Sequence, residues 1–277
     1  MQQTARTLFE LLNDAAPGLV GPMRRLYSHT VTRRRVIRES PREVEIETSG
    51  RAVKLRADTW ETANFVLHNS TDGRLDYEPE ETSLFRSQLP GVDTFFDVGG
   101  HIGYYGLLAA ADNPGRRVVA FEILEDFADE IERHAKNNRL DNVTVERAAI
   151  GSGGEAVSFT NFADSNSRAA VSLDDYCQAK GLAPKLIKMD IEGHEVAGIS
   201  GMAGLLSKVR PVIQLAFHPP MILSRGHAPV EALRPLWKAG YETLRVGPGE
   251  DGRGHGLEPI TAANVPADLC TLLCRPI

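Results

Sequence analysis

FFDVGGHIGYYG, residues 95–106, runs from an apolar strand through a glycine turn into the first turn of a helix. Glycine there permits backbone conformations closed to other residues and close approach of a ligand, while the helix N-terminus presents unpaired N–H groups. Outward from this stretch the same strand-then-helix texture repeats. Strands are predicted at residues 94–98, 117–121, 143–147, 186–191, 212–217, 242–246 and 269–274, and helices at 103–111, 125–138, 193–206 and 230–239. The second helix is clearly amphipathic, with Leu124, Phe127, Ala128, Ile131 and Ala135 on one stripe and Asp126, Glu130, Arg133 and Lys136 elsewhere. Such alternation is the signature of an α/β fold whose mostly parallel sheet is covered on both faces.

Composition narrows the possibilities. Of 277 residues, 42% are hydrophobic and 25% charged, which excludes a disordered, collagen-like or disulfide-scaffold chain. A net charge of -6 argues against nucleic acid as the main partner, because phosphate binding needs clustered Lys and Arg. Cys177, Cys270 and Cys274 lack metal-type spacing and read as reduced core thiols. No membrane span is expected, since no stretch reaches about 20 apolar residues. The N-terminal MQQTARTLFELLNDAAPG has no signal-like apolar run, so a cytoplasmic location is expected.

Residues 1–88 differ in texture and read as an N-terminal extension or cap, with 89–277 as the main domain. Residues 7–13 suggest a short amphipathic helix, and Val44, Ile46, Val53 and Leu55 alternate as a hairpin would. Arg24, Arg25, Arg33, Arg34, Arg35 and Arg38 form a local basic segment; it serves either as a solvated, ion-paired face or as a contact for an anionic substrate, carrier or membrane surface. Residues 247–268, rich in Gly and Pro, are expected to be a long mobile rim loop.

Three clusters carry chemistry. In the first, glycines at 99, 100, 103 and 106 put His101 where a nicotinamide fingerprint requires its second glycine. Asp97, at the strand end, repels a pyrophosphate but suits a cationic ligand such as S-adenosylmethionine; its carboxylate could also rest on the helix N-terminus. Glu122 ends the next strand, 25 residues after Asp97, where an acid can accept ribose hydroxyl protons. The third cluster is LIKMDIEGHE, residues 186–195: strand alternation puts Lys188, Asp190 and Glu192 on one face. Buried carboxylates are costly without a purpose, which points to function for Asp190 and Glu192. Glu195 divides between a helix-dipole charge and a functional role. His218 ends strand 212–217 as either a turn residue or a base. Asp190, Glu192 and His218 could also supply a divalent-metal site, which is not favoured.

At these residues the sequence resembles the FkbM family of S-adenosylmethionine-dependent methyltransferases. The marks are DVGGHIGYYG at 97–106, AFE at 120–122, NNRLDNVTVERAAIG at 137–151, SLDDY at 172–176 and IKMDIEGHE at 187–195. The resemblance implies a class I methyltransferase, Rossmann-like, seven-stranded sheet with its final strand antiparallel, and O-methylation of a hydroxyl on a sugar, glycan or secondary metabolite. Two departures stand out: Ile123 replaces the proline common after the ribose acid, and Ala216 replaces an acid two residues before His218.

Taken together, S-adenosylmethionine is the expected cofactor, held by Asp97, Gly99, Gly100, His101, Gly103, Glu122, Ala148 and Asp190. Asp190, Glu192, His218 and Lys188 are the expected catalytic set. A small molecule or glycan is the expected acceptor, chosen by residues 1–88, 161–168 and 247–268. A nicotinamide-dependent oxidoreductase and a non-catalytic cofactor-binding scaffold are the competing readings.

Overall fold

The computed structural model describes residues 32–71, 74–75, 77–160, 165–249 and 255–277. The predicted helix at 7–13 and Arg24 and Arg25 lie outside the described residues. The described chain divides into two compact units, one comprising residues up to Val44 together with Arg56–Leu75, the other Glu45–Leu55 and Asp76–Ile277.

In the smaller unit a helix spans 32–39 and another spans Trp60–Asn69, the latter started by Thr59, whose side chain accepts from Thr62 N. Arg33 lies 5.0 Å from the Trp60 ring centre and 3.7 Å from Glu61, and Arg35 pairs with Glu39 at 3.0 Å. These arginines therefore make ion pairs within their own unit. The anticipated hairpin forms from β1 (Glu43–Ile46) and β2 (Val53–Arg56), and β3 (Ser70–Thr71) pairs with β4 (Arg74–Leu75).

The larger unit is built on an eight-stranded sheet. Its members are β5 (Thr94–Val98), β6 (Arg117–Phe121), β7 (Val143–Glu146), β11 (Leu186–Met189), β12 (Val212–Phe217), β13 (Tyr241–Pro248), β14 (His255–Ile260) and β15 (Cys270–Pro276). Their order is β14-β13-β15-β12-β11-β5-β6-β7. β5 pairs in parallel with β6 and β11, while β15 runs antiparallel to both β12 and β13. This is the expected mostly parallel α/β sheet with its final strand reversed. The expected seven strands are all present, and β14 adds an eighth that pairs antiparallel with β13. Residues 247–268 are thus not one loop: part of the stretch extends the sheet edge.

The strands are apolar for a physical reason. Phe96, Val98, Val119, Phe121, Ile187, Met189, Ile213, Leu215 and Phe217 all belong to one buried core. Phe96 and Phe121 meet edge to face at 5.4 Å, and truncating either would cost about 3–5 kcal/mol. The helix Glu125–Asn137 turns Ala128, Ile131 and Ala135 inward and carries acids in its first turn and Lys136 in its last, in accord with the helix dipole.

One long helix predicted over 193–206 is in fact two, Glu195–Ser200 and Ala203–Lys208. Gly201 breaks it by packing on the Gly151 carbonyl, 1.9 Å from where a Cβ would stand. The second piece is then started by Asp174, whose carboxylate accepts from Gly204 N and Leu205 N at 2.6 and 2.8 Å. A second sheet, in the order β8-β10-β9, consists of β8 (Ala149–Ile150), β9 (Ala156–Thr160) and β10 (Ser165–Val171). All three cysteines are free thiols, Cys177 and Cys274 buried and Cys270 partly exposed. Among the described residues no helix is long and apolar enough to cross a membrane.

Candidate functional site

Ligands of open α/β sheets bind beyond the carboxyl ends of the strands, near the point where strand order reverses. Here that point is β5, flanked by β6 and β11. A cavity of about 740 Å³ opens there, within the usual size for small-molecule sites. Its walls come from the ends of these strands (Val98, Gly99, Phe121, Glu122, Asp190), from β8 and the residue before it (Ala148–Ile150), and from β9 (Val157, Ser158).

The turn after β5 is built by close packing. Gly99, at φ +82°, leaves only 1.8 Å between an added Cβ and the Asp190 carbonyl, so any side chain there would collide with the neighbouring strand end. Gly99 N and Gly100 N both donate to the Phe121 carbonyl, at 2.9 and 3.1 Å. An added Cβ on Gly100 or Gly103 would press on Ile131. Gly99 and His101 line the cavity; Gly100, Gly103 and Asp97 do not.

Asp97 points inward. Its Oδ2 accepts from Gly106 N at 2.8 Å, inside the first turn of the following helix, and the residue is 2% exposed. Burial lifts its pKa to about 6, against the Lys188 charge and the Gly106 N–H. Of the two positions the sequence allowed for this carboxylate, it occupies the helix N-terminus.

Glu122 is placed differently. It lines the cavity, with Oε2 accepting from His101 N at 2.8 Å and Oε1 from Leu124 N at 2.9 Å. A carboxylate has about four acceptor positions, so both oxygens keep capacity for further donors. Burial pushes its pKa up to about 7 despite those two N–H groups. The His101 ring packs on Phe127 at 4.1 Å, and burial lowers its pKa to about 4, which keeps it neutral.

The third cluster departs from simple strand alternation. β11 stops at Met189, so Glu192 lies on the following turn at φ +46° rather than on the strand face of Lys188. His101 and Glu192, two of the few non-glycine residues with positive φ, both line the cavity, as strained backbone at functional sites often does. Asp190 lines it as well. Lys188 stays buried beneath, its Nζ 3.3 Å from Asp190 Oδ2 and 4.7 Å from the Tyr105 ring centre. Burial pulls the Lys188 ammonium down, but the charges of Asp190, Glu78 and Asp97 outweigh it and raise its pKa.

His218 lies behind Asp190 and outside the cavity lining, with Nε2 3.6 Å from Asp190 Oδ1. Its Nδ1 is 2.7 Å from Oε1 of Glu195, a fully buried carboxylate. The acid against His218 is not on its own strand, where Ala216 stands two residues before it, but at the start of the helix after β11. The signal was present as the last letter of DIEGHE. Tyr77, Phe127 and Arg225 also line the cavity, and no motif marked them; His194, inside LIKMDIEGHE, lines it too, though no role was expected of it. Arg225 Nη2 donates to the Glu192 carbonyl at 3.1 Å. Among the described residues no group of three or more His, Cys, Asp or Glu is arranged to hold a metal ion, and Asp190, Glu192 and His218 are among those residues.

The lining therefore combines apolar residues, Phe121, Ile123, Phe127 and Ile150 among them, with three acids, Glu122, Asp190 and Glu192. Such a site suits a ligand with an aromatic body and a positive charge.

A family model described as the methyltransferase FkbM domain matches residues 97–243. No curated protein matches the sequence. Among solved structures, the chain is similar to a methyltransferase FkbM from Methylobacillus flagellatus KT at 20% identity and a TM-score of 0.46; 77% of this chain covers 53% of that one. It is also similar to an S-adenosylmethionine-dependent O-methyltransferase from Thermotoga maritima (14% identity, 84% of this chain and 77% of that one, TM-score 0.45). An O-methyltransferase from Bacillus cereus in complex with S-adenosylhomocysteine is similar at 16% identity, over 77% of this chain and 86% of that one, with a TM-score of 0.43. The chain thus spans about half the length of the first of these.

Proposed function

The chain belongs to the methyltransferase FkbM domain family, and from that premise we propose that it moves a methyl group from S-adenosylmethionine to a hydroxyl of a sugar, glycan or secondary metabolite. The observation that carries this reading is that Glu122, Asp190 and Glu192 line one cavity from beyond the ends of β6 and β11, the two strands that flank β5. A sulfonium cofactor brings positive charge and an electrophilic methyl group, and three acids beside an apolar wall fit both its charge and its adenosine.

In this reading Glu122 accepts from the ribose hydroxyls with the lone pairs that His101 N and Leu124 N leave free. The backbone at Gly99 and Ala148 and the His101–Phe127 pair enclose the nucleoside. Asp190 and Glu192 face the reacting end. Lys188, fixed beneath, orients Asp190 by holding one of its oxygens. Displacement at the methyl carbon asks the protein to aim the acceptor oxygen and to take its proton, and these two carboxylates are the groups that reach the cavity for that work. Acceptor choice falls to residues 1–88, to 161–168 and to the segments flanking β14.

Isothermal titration with S-adenosylmethionine tests the reading. The intact protein should bind it, and Glu122→Ala should weaken binding about 10- to 100-fold, the loss expected for charge-assisted hydrogen bonds. No binding by the intact protein rejects the assignment, as would a fluorescence change showing that NADH is taken instead.

A further inference from the structure

The methyl-transfer reading leaves a buried Glu195 without work, yet its environment is unusual. It is fully buried at the first position of a short helix, and its Oε1 accepts from Gly193 N at 3.1 Å. That same oxygen lies 2.7 Å from His218 Nδ1. The other oxygen, Oε2, has no hydrogen-bond partner. A buried carboxylate with one oxygen unsatisfied costs stability unless something it holds is needed.

We propose that Glu195 is a positioning residue: it holds His218 through Nδ1, so that Nε2 receives the proton the acceptor hydroxyl gives up through Asp190. This rests on the methyl-transfer reading and extends it to the fate of the proton. His218 Nε2 stands 3.6 Å from Asp190 Oδ1, while Asp190 Oδ2 is taken by Lys188 Nζ. One end of this chain, Asp190, reaches the cavity and the other is sealed in the core. A histidine whose second nitrogen donates to a fixed acid is held in a single tautomer, which decides which nitrogen takes protons.

The step balances. The acceptor O–H bond breaks and its electron pair forms the new O–CH₃ bond as the donor's S–CH₃ bond breaks. The proton passes by way of the Asp190 carboxylate to Nε2 of a neutral imidazole. His218 becomes an imidazolium between Asp190 and Glu195, the sulfur keeps the pair of the broken S–CH₃ bond, and Glu195 takes no proton in the step.

The charges around His218 agree with this role. Burial alone lowers its pKa, but the Glu195 hydrogen bond and charge, then the charges of Asp190 and Glu192, raise it overall. Glu195 faces it from the following helix, Asp190 and Glu192 from the turn after β11. Lys188 acts on it through Asp190, and Arg225 touches only the Glu192 main chain.

Nitrogen-15 histidine NMR of the full chain across pH tests the proposal, with His218→Gln identifying the signal. Nδ1 should remain protonated while Nε2 titrates, with a midpoint above the free-histidine value. Both Glu195→Gln and Asp190→Asn should lower that midpoint, the former by about 1 pH unit or more. A merely structural ion pair would shift the midpoint as well, but it would leave the acid limb of the methyl-transfer pH profile, read with a crude acceptor pool and labelled S-adenosylmethionine, unmoved in Glu195→Gln. Titration at Nδ1, or an unmoved midpoint in either variant, overturns the proposal. Should Glu195→Gln not fold, Glu195→Asp takes its place: its shorter carboxylate loses the hydrogen bond to Nδ1 but keeps the charge, so a smaller fall is expected, and an unmoved midpoint again overturns the proposal. Calorimetry with S-adenosylmethionine on the same samples separates the two ideas. Lost binding by the unaltered protein sinks the methyl-transfer reading, whereas intact binding with an unmoved midpoint sinks only the role of Glu195.

Discussion

The turns after β5 and β11 lie side by side at the carboxyl end of the sheet and carry the two most distinctive motifs of the chain. Their side chains are used in opposite ways. After β5, Asp97 is turned inward onto Gly106 N, and the glycines at 99, 100, 103 and 106 yield room to Asp190, Ile131 and Asp97 itself. After β11, Asp190 and Glu192 project into the cavity, and Glu195 backs them through His218. The glycine turn is thus chiefly a device for bringing the second turn close. The acidic side chains that line the cavity from these two turns, Asp190 and Glu192, come from the turn with fewer glycines.

The strongest way to break this comparison is Gly99→Ala. The new Cβ would sit 1.8 Å from the Asp190 carbonyl at a φ of +82°, so backbone must move. Overpacking and the left-handed penalty together predict a loss of about 3 kcal/mol or more, read by urea denaturation. A variant as stable as the parent would show that the two turns are not packed as described.

A second test uses pH. Burial raises Asp97 to about 6 and Glu122 to about 7 from ordinary values of 3.8 and 4.5. The folded pKa lies above the unfolded one for both, so the stability they contribute is fully present below the ordinary values of 3.8 and 4.5 and is lost as pH rises through about 6 and about 7. For Glu122 the difference amounts to roughly 3 kcal/mol. Denaturation at pH 5 and pH 8 should therefore show weaker folding at the higher pH, and Glu122→Gln should flatten that slope by its own share. A slope the substitution does not touch means that Glu122 titrates normally.

The contrast between the two acids is sharpest in binding. Asp97→Asn keeps an oxygen to accept from Gly106 N and alters nothing in the cavity lining. Affinity for S-adenosylmethionine should therefore stay within about threefold of the parent, against the 10- to 100-fold loss at Glu122→Ala, both read by calorimetry. Equal losses would return Asp97 to the ligand.

The difference between these acids marks how far the sequence could be read. Period and turn residues announce elements, so β5, β6 and β12 fall at the predicted residues, and strand-end positions bring Glu122 and Asp190 to one cavity. Which way a strand-end carboxylate turns depends on a donor nine residues along, Gly106 N, and no local pattern encodes it. The hydrogen-bond partner of His218 is not on its own strand but is Glu195, 23 residues earlier, which comes close because β11 and β12 are neighbours. The short helix Pro219–Ser224 was hidden for another reason: two prolines after His218 read as a turn, whereas proline at the first helical positions sets φ for a helix start. β14 escaped because its Gly and Pro content masks an edge strand that needs only β13 for pairing.

The smallest effect concerns what holds the second turn in shape. Glu192 has a positive φ, which a non-glycine residue keeps only when its surroundings enforce it. Two contacts do so: Arg225 Nη2 donates to the Glu192 carbonyl, and Gly193 leaves an added Cβ only 2.7 Å from Met221 Cβ. Arg225 is exposed, so removing it forfeits one solvent-shared hydrogen bond, and Arg225→Ala should cost about 1 kcal/mol or less in unfolding experiments. Its effect on the site should be more visible than its effect on the fold. With the turn released, Glu192 loses its fixed aim, and S-adenosylmethionine binding should weaken by a few-fold while Glu122 remains in place. Arg225→Lys keeps the charge but not the planar fork that packs over Gly193, so it should recover little of that loss. Full recovery by lysine would mean that Arg225 acts through its charge on the cavity and not by holding the turn.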